Sequence, residues 1–585
     1  MEATRVLARK KNWSAPGPDR LTNVWWKKAL VLHEDVAMSF QAIANTNEEY
    51  PPWFSEGKTT LLPKPGKFTS DNQRPITCLN TPYKWFTSCL LGPANQHLET
   101  HGLMDGAQRG ARAGCCGTID NLMIDRVVTL DCHSRKRNLS MAWIDVKKAY
   151  DSVDHGWLEE MKSLHRLPIW LSRTVEKLRK SWNTRVVATT KLGREKSEPI
   201  KFLKGLPQDD ALCPRLFTVC LNPIAWKISA SEGYKLSKPI SVKVTDLLYI
   251  DDLKVFASSE SKLSRVMEST KTAWRMSDSN GTPKKGNQHK FLGVLETVRQ
   301  EERMSLEGAV KEYLRRMSFI WSSPLFDYNR VTASNKFALP TLGYLMWTQQ
   351  WPVTELKKVD REARKIIVEN GGKHPSGSTA ILYLPREKGG RGLRSIEEEY
   401  KVTRIKVAVK LYSNSDPAMA MVREFEEREE ELGHSSLVKE ATRYADETGL
   451  QLQLEYPSPA CIKRDSGEVV TAKKLKVELR RVLEEKTWET VHEQNWQGKL
   501  LSARTEDESL NFNGCYWWLS SWKQCPTHTV AGMFELYEQL LPTRLYACRK
   551  THTDTTVETV PPWYSSLKPK PAYEANNAQA FWDVP

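Results

Sequence analysis

An α+β fold is what this sequence predicts, and three observations predict it. A short apolar run, Leu139–Ile144, ends on an acid, Asp145; such a run is the pattern of a strand buried on both faces. A second apolar stretch, "LLYIDDLKVFASS" at 247–259, holds two adjacent aspartates. From about residue 300 onward, apolar residues recur at helical spacing, as Tyr313, Leu314, Met317, Phe319 and Ile320 do.

The elements follow in order. Residues 1–135 alternate Pro/Gly-rich loops, such as "WSAPGPDR" and "LLPKPGKF", with helical stretches. Residues 136–260 hold the clearest strands. After Asp145 a helix starts near Asp154, a good N-cap, with Trp157, Leu158, Met161 and Leu164 on one face. Asp151 and Asp154 are read as turn and cap residues, and Trp143 and Trp157 as core. Residues 242–249 and 253–258 are β-like and read as a hairpin, with Asp251 and Asp252 at its tight turn. "PREKGGRGL", 385–393, marks a boundary. Beyond it "REFEEREEEL", 423–432, and "KKLKVELRRVLEEK", 473–486, read as solvated helix faces, and "EYPSPACIKRDSGE", 455–468, as a loop or linker. The Thr- and Pro-rich tail after Thr551 is expected to be poorly ordered.

Composition narrows the function classes. The 585 residues, 40% of them hydrophobic, suffice for several domains. A net charge of +15 points to a polyanionic partner. The eleven cysteines form no CxxC pair, and the adjacent Cys115 and Cys116 suit neither zinc nor an ordinary disulfide. They read as reduced thiols of an intracellular protein, in nucleus or cytoplasm. No signal-peptide core and no membrane-spanning apolar run is present, so no membrane is expected.

The chemistry starts from the acids. Burying two neighbouring carboxylates is costly unless a cation compensates them. If the strand ending at Asp145 lies beside the hairpin, Asp145, Asp251 and Asp252 converge at one sheet edge. Hard oxygen donors there suit Mg²⁺, and two such ions can clamp an in-line phosphoryl displacement.

"YIDD" (Tyr249–Asp252), "AWIDVKKAYDSVDH" and "GLPQDDALCPRLFTVCLNP" (205–223) stand in the order 145, 205–210, 251. This order and these motifs resemble the palm of reverse transcriptases. "WSAPGPDRLTNVWWKKA", "TTLLPKPGKFTSDNQRPITCLNTPYKWFT" and "AQRGARAGCCGTIDNLMIDRVV" resemble the fingers of non-LTR retrotransposon enzymes. "NKFALPTLGYLMWT", the 360–393 segment and "YEQLLPTRLYACRK" resemble the branch that carries a restriction-like endonuclease. The resemblance covers roughly residues 11–410 and a patch near 540.

It implies a right-hand polymerase fold: fingers 1–135, palm 136–295, thumb 296–400, a helical region 401–550 and a tail 551–585. It implies an RNA-directed DNA polymerase acting on an RNA template, a DNA primer and dNTPs with Mg²⁺. Asp145, Asp251 and Asp252 would hold the metal, Asp145 and Asp251 most directly. Lys64 and Arg74 would grip the triphosphate, Tyr150 would exclude a ribose 2′-hydroxyl, and Gln208 would pack at the template–nucleotide pair. Tyr249 would lie near the primer end. Lys336, Arg361, Arg364 and Lys365 would track nucleic-acid backbone.

Three departures from the family pattern stand beside this. Asp209 replaces the glycine that follows the motif's glutamine. The stretch from Phe256 to Phe291 is short and lacks the family's glycine-and-lysine segment, with Lys284 or Lys285 as substitutes. N-terminal zinc fingers, a cysteine–histidine knuckle and an endonuclease segment are absent, so the chain reads as a fragment or decayed copy. The alternative is therefore a catalytically decayed protein that only binds RNA. A viral RNA-dependent RNA polymerase fits poorly, since those usually carry GDD and lack an aromatic gate.

Overall fold

The computed structural model describes residues 2–45, 50–63, 73–112, 115–146, 148–190, 193–276, 281–283, 289–297, 300–472, 474–494, 516–519, 523–538 and 540. Lys64, Lys284, Lys285 and the tail after Thr551 lie outside the described residues. The chain divides into two compact units, Met1–Glu301 with Asn414–Arg428, and Glu302–Ser413 with Glu429–Pro585. Among the described residues no helix is long and apolar enough to cross a membrane.

The first unit carries β1 (Glu56–Pro63), β2 (Gln73–Leu79), β3 (Ser140–Val146), β4 (Asn183–Thr190), β5 (Gly193–Lys196) and β6 (Ile200–Lys201). These are followed by β7 (Tyr234–Lys235), β8 (Lys243–Val244), β9 (Asp246–Tyr249) and β10 (Asp252–Ala257). Three short strands close the series: β11 (Gly281–Pro283), β12 (His289–Phe291) and β13 (Val294–Glu296). One sheet runs β2-β1-β4-β5 with β6 beside β4, and a second runs β11-β3-β10-β9. Helices Thr81–Thr100, His155–Leu164 and Cys213–Ser229 bury apolar faces in one continuous core with Ile144, Val146, Leu253 and Val255 of the second sheet.

Several expectations change here. β3 is not buried on both faces: Ala142, Ile144 and Val146 point inward while Met141, Trp143 and Asp145 form a more open face. Trp143 is accordingly half-buried, stacked on His289 at 4.3 Å, whereas Trp157 is core. The strand-like run 242–249 is split, because β8 pairs with β7 and only β9 pairs with β10. Residues 1–135 also hold the paired strands β1 and β2, whose Pro- and Gly-rich connection disguised them. Within the short 256–291 stretch, β11 pairs with the end of β3, Gly281–Pro283 against Val146–Ile144. Asp154 does cap its helix, accepting from the Trp157 amide at 2.9 Å. Leu164 at the far end of that helix is exposed.

Helix Pro417–Glu431 is less solvated than its charges suggest: Val422, Phe425 and Glu426 are buried, and Glu426 pairs with Arg126 at 3.2 Å within the first unit.

The second unit is mostly helical. Helix Glu302–Ser322 buries Tyr313, Met317, Ile320 and Trp321, while Phe319 is exposed, one position off the buried stripe. Residues 455–468 are no linker, for they supply β15 (Ala460–Lys463) between β14 (Leu450–Gln453) and β16 (Val469–Val470). Its Ser, Pro and Gly residues form the turns, and Cys461 is buried. The nine described cysteines are free thiols.

Candidate active site

β3 and β10 are antiparallel, with Leu253 opposite Ile144 and Lys254 opposite Trp143. Continued one step beyond its last pair, this register would set Asp252 opposite Asp145, and opposite residues in such a pair lie about 4.5–5.5 Å apart at Cα. Tyr249 faces Asp252 from β9, and Thr282 faces Asp145 from β11. The four residues form a row across one face of the sheet. Asp251 occupies the hairpin turn beside the row. Asp145 is exposed, and Asp251 and Asp252 are half-buried. Among the described residues no three Asp, Glu, His or Cys side chains stand as a ready-made metal cage. The register instead supplies carboxylate oxygens at one strand end, a donor set that fits Mg²⁺.

The turn is held by a residue that the sequence reading passed over. Ile250 has φ +58°, a left-handed conformation that β-branched residues rarely adopt. Gln108 clamps it: its Oε1 accepts from the amides of Ile250 at 3.0 Å and Gly110 at 2.8 Å, and its Nε2 donates to the Ile250 carbonyl at 3.3 Å. Arg109 N donates to Leu248 O, and Leu248 N to Ala107 O. The close fit needs glycine twice: a Cβ at Gly110 would meet Ile250 N at 2.5 Å, and one at Gly117 would meet the Tyr249 ring at 2.6 Å. A glutamine ahead of two such glycines was the available signal. If the hairpin carries the chemistry, Gln108→Ala is expected to lower the turnover rate about a hundredfold with little change in KM, as a slight misplacement of catalytic groups does. Single-turnover kinetics of the folded variant check this, and an unchanged rate would remove the clamp's role.

Tyr150 lies in the helical turn Ala149–Ser152 after β3. Its ring stacks on Phe217 at 5.0 Å, and burial first, then the Cys213 thiol and the Asp251 and Tyr249 side chains, push its hydroxyl pKa up. The loop bearing Gln208 is sewn to this turn, Leu206 N donating to Tyr150 O at 2.9 Å and Gly205 N to Val153 O at 2.8 Å. Gln208 is half-buried. Asp209 does not stand as an uncompensated charge. Lys84 Nζ reaches it at 2.8 Å and also donates to Ala15 O at 2.7 Å. Asp210 is buried, accepting from Tyr83 at 2.9 Å and the Leu212 amide at 2.8 Å, and burial raises its pKa.

Arg74 projects from β2, exposed. Strand pairing gives it company. Leu62 lies opposite Arg74, Cys78 and Arg185 opposite Lys58, and Lys196 opposite Val187. By the two-residue period, Arg74, Lys58, Arg185 and Lys196 share one face of the first sheet. Lys58, Arg185 and Lys196 line a small cleft there with Arg20. The opposite face is closed by buried Thr59, which hydrogen-bonds Thr77 at 2.7 Å and Thr184 at 2.8 Å. Lys58, Arg185 and Lys196 were not singled out from sequence, because a cationic face shared by three strands emerges only from their register.

Behind the carboxylate row, Lys254 is 1% exposed and faces two acids, Asp125 at 2.5 Å and Glu296 at 2.7 Å, themselves 0% and 1% exposed. Trp143 Nε1 donates to Glu296 at 3.0 Å, and Gln300 Nε2 to Asp125 at 3.2 Å. Burial and the Asp125 charge push Glu296 up to about 8.

The remaining expected residues belong to the second unit. Lys336 and Arg361 are exposed. Arg364 donates to Tyr383 Oη at 2.8 Å, and Lys365 pairs with Glu362 at 2.8 Å. Arg361 and Arg364 line a cleft of about 480 Å³ with Lys357, Lys401 and Lys486.

Residues 62–295, which contain the carboxylate row, match the family model for reverse transcriptase (RNA-dependent DNA polymerase). This segment is a reverse transcriptase domain. The reverse transcriptase domain has relatives among retrotransposon proteins. The chain is 26% identical over 270 residues to the retrovirus-related Pol polyprotein from type-1 retrotransposable element R2 of Nasonia vitripennis, covering 45% of this chain and 25% of that protein. It is 21% identical over 423 residues to the corresponding polyprotein of type-2 element R2DM of Drosophila melanogaster, covering 66% of this chain and 38% of that protein. The chain spans well under half the length of these curated relatives. Among solved structures, apo telomerase of Candida tropicalis is similar at 12% identity, covering 69% of this chain and 73% of that one, with a TM-score of 0.32. A form truncated at its C-terminal domain matches at 16% identity, covering 48% and 59%, with a TM-score of 0.30.

Proposed function

We propose that the reverse transcriptase domain extends a DNA 3′ end on an RNA template, adding deoxynucleotides. The observation that carries this reading is the row in which the register, continued one step, sets Asp252 opposite Asp145, with Asp251 in the adjoining turn, inside the matched segment. Asp145, Asp251 and Asp252 would hold Mg²⁺. When bound there, the ions would lower the pKa of the primer hydroxyl and offset charge on the transferred phosphorus. Tyr150, backed by Phe217, would exclude a ribose 2′-hydroxyl, and Gln208, on the loop sewn to that turn, would pack at the nascent pair. Arg74 and Lys64 would bind triphosphate, the guanidinium as a planar fork. Lys58, Arg185 and Lys196 extend that cationic face. Tyr249, beside the carboxylates, would meet the primer end. The exposed Lys336 and Arg361, with Arg364 and Lys365, would follow backbone phosphates. Fingers and palm are proposed within the first unit and the thumb at the start of the second.

Primer extension on an RNA–DNA hybrid tests the reading. Incorporation of dNTPs is expected with Mg²⁺, lost on chelation and restored by added Mg²⁺. Extension with ribonucleotides at a comparable rate would contradict it. RNA binding without extension would return the chain to the non-catalytic alternative. The Lys84–Asp209 pair argues against that alternative by offsetting the added charge.

A further inference from the structure

An open cleft of about 850 Å³ lies in the first unit between helices His33–Asn45 and Ile169–Ser181. None of the carboxylate-row residues lines it. Trp170, Arg173, Lys177 and Lys180 recur at helical spacing along the second helix and all line the cleft, so they form one stripe on one face. Tyr50, Asn45 and Asn183 complete the walls. Thr174 Oγ1 donates to Trp170 O at 2.8 Å in its own helix and stands 3.3 Å from Ala44 O of the other. Lys177 Nζ stands 5.6 Å from the Tyr50 ring centroid. Among the described residues the one acid in the lining, Glu176, is bound to Lys180 at 2.7 Å. The described lining is therefore net cationic, with Arg173 exposed and Trp170 40% exposed.

We infer that this cleft is a second nucleic-acid site and binds unpaired RNA. The cations run along about 10 Å of helix axis, a track for successive phosphates rather than for one anion. The exposed Trp170 ring at the end of the cation stripe fits an unpaired base, which stacks on any π face. A duplex hides its base faces and would leave Trp170 nothing to stack on. The two asparagine amides offer donors and acceptors for base edges and for the 2′-hydroxyl. From the polymerase reading the inference takes only the choice of RNA as partner, and its test measures binding, so the two stand or fall separately.

The experiment uses the full chain and a labelled oligouridylate of about eight nucleotides. An RNA–DNA primer–template with minimal overhang is present at saturating concentration to fill the catalytic region. Expected results are retained oligomer binding, a bromouridine cross-link to Trp170 or Tyr50, and affinity lowered about tenfold or more by Trp170→Ala and by Arg173→Glu. Arg173→Glu should also flatten the salt dependence, while both variants keep wild-type primer–template binding. Loss of oligomer binding when the primer–template is added would overturn the inference. So would unchanged affinity in both variants, equal affinity for the deoxyuridine oligomer, or displacement by an acidic peptide.

Discussion

Asp251→Asn is expected to lower deoxynucleotide addition by about a thousandfold or more, the scale of losing a group aimed at charge that develops in the transition state. The amide keeps the size of the carboxylate, so the Ile250 turn and its Gln108 clamp should survive, and only the negative charge leaves the carboxylate end of the sheet. Single-turnover extension at saturating RNA–DNA hybrid is the measurement, with hybrid affinity measured alongside. Asp154→Asn is the matched control. Asp154 caps a helix, and asparagine caps as well as aspartate, so that variant should extend at nearly the wild-type rate. If Asp251→Asn instead keeps extension within tenfold while folding normally, the assignment of chemistry to the hairpin is wrong.

Lys254→Met is expected to destabilise the first unit by about 3–5 kcal/mol. It strips from Asp125 and Glu296 the one cation that pairs with them among the described residues, and neither acid has meaningful access to water. An uncompensated buried charge is the main source of so large a loss. Adding Asp125→Asn and Glu296→Gln to Lys254→Met should recover much of it, because the loss comes from unpaired charge more than from a missing attraction. The same cluster predicts a pH dependence. Glu296 is raised to about 8 in the fold, above its value in the unfolded chain, so folding takes up a proton. The resulting stability is full below the unfolded value and falls as pH rises towards 8. Urea midpoints should therefore drop between about pH 5 and 8, and Glu296→Gln should flatten that slope. A wild-type midpoint that rises across this range would show that Glu296 is not the proton carrier.

Local pattern was enough to reveal some of this protein and not the rest. Asp145 at the end of an apolar run, a hairpin with Asp251 at its turn and the Asp154 cap were legible because each depends on neighbours within a few residues; Asp252, expected in the turn as well, instead begins β10. Phe319 was misplaced by one position on its helix, since spacing alone does not say where the buried stripe stops. The strands β1, β2 and β15 were missed because turn-forming Pro, Ser and Gly surround short runs.

What the sequence by itself determined is therefore the chemistry present: which strand ends carry acids, where two of them stand side by side, and a net charge of +15. Only the tertiary structure decided what meets what. The register, continued one step, put Asp252 across from Asp145, drew Lys58, Arg185 and Lys196 onto one face with Arg74, and gave Lys254 and Asp209 their counter-ions. Those pairings join residues scores of positions apart, and no local periodicity encodes them. They are settled when strands align to bury their apolar faces, and the charged groups must then find partners where that packing leaves them.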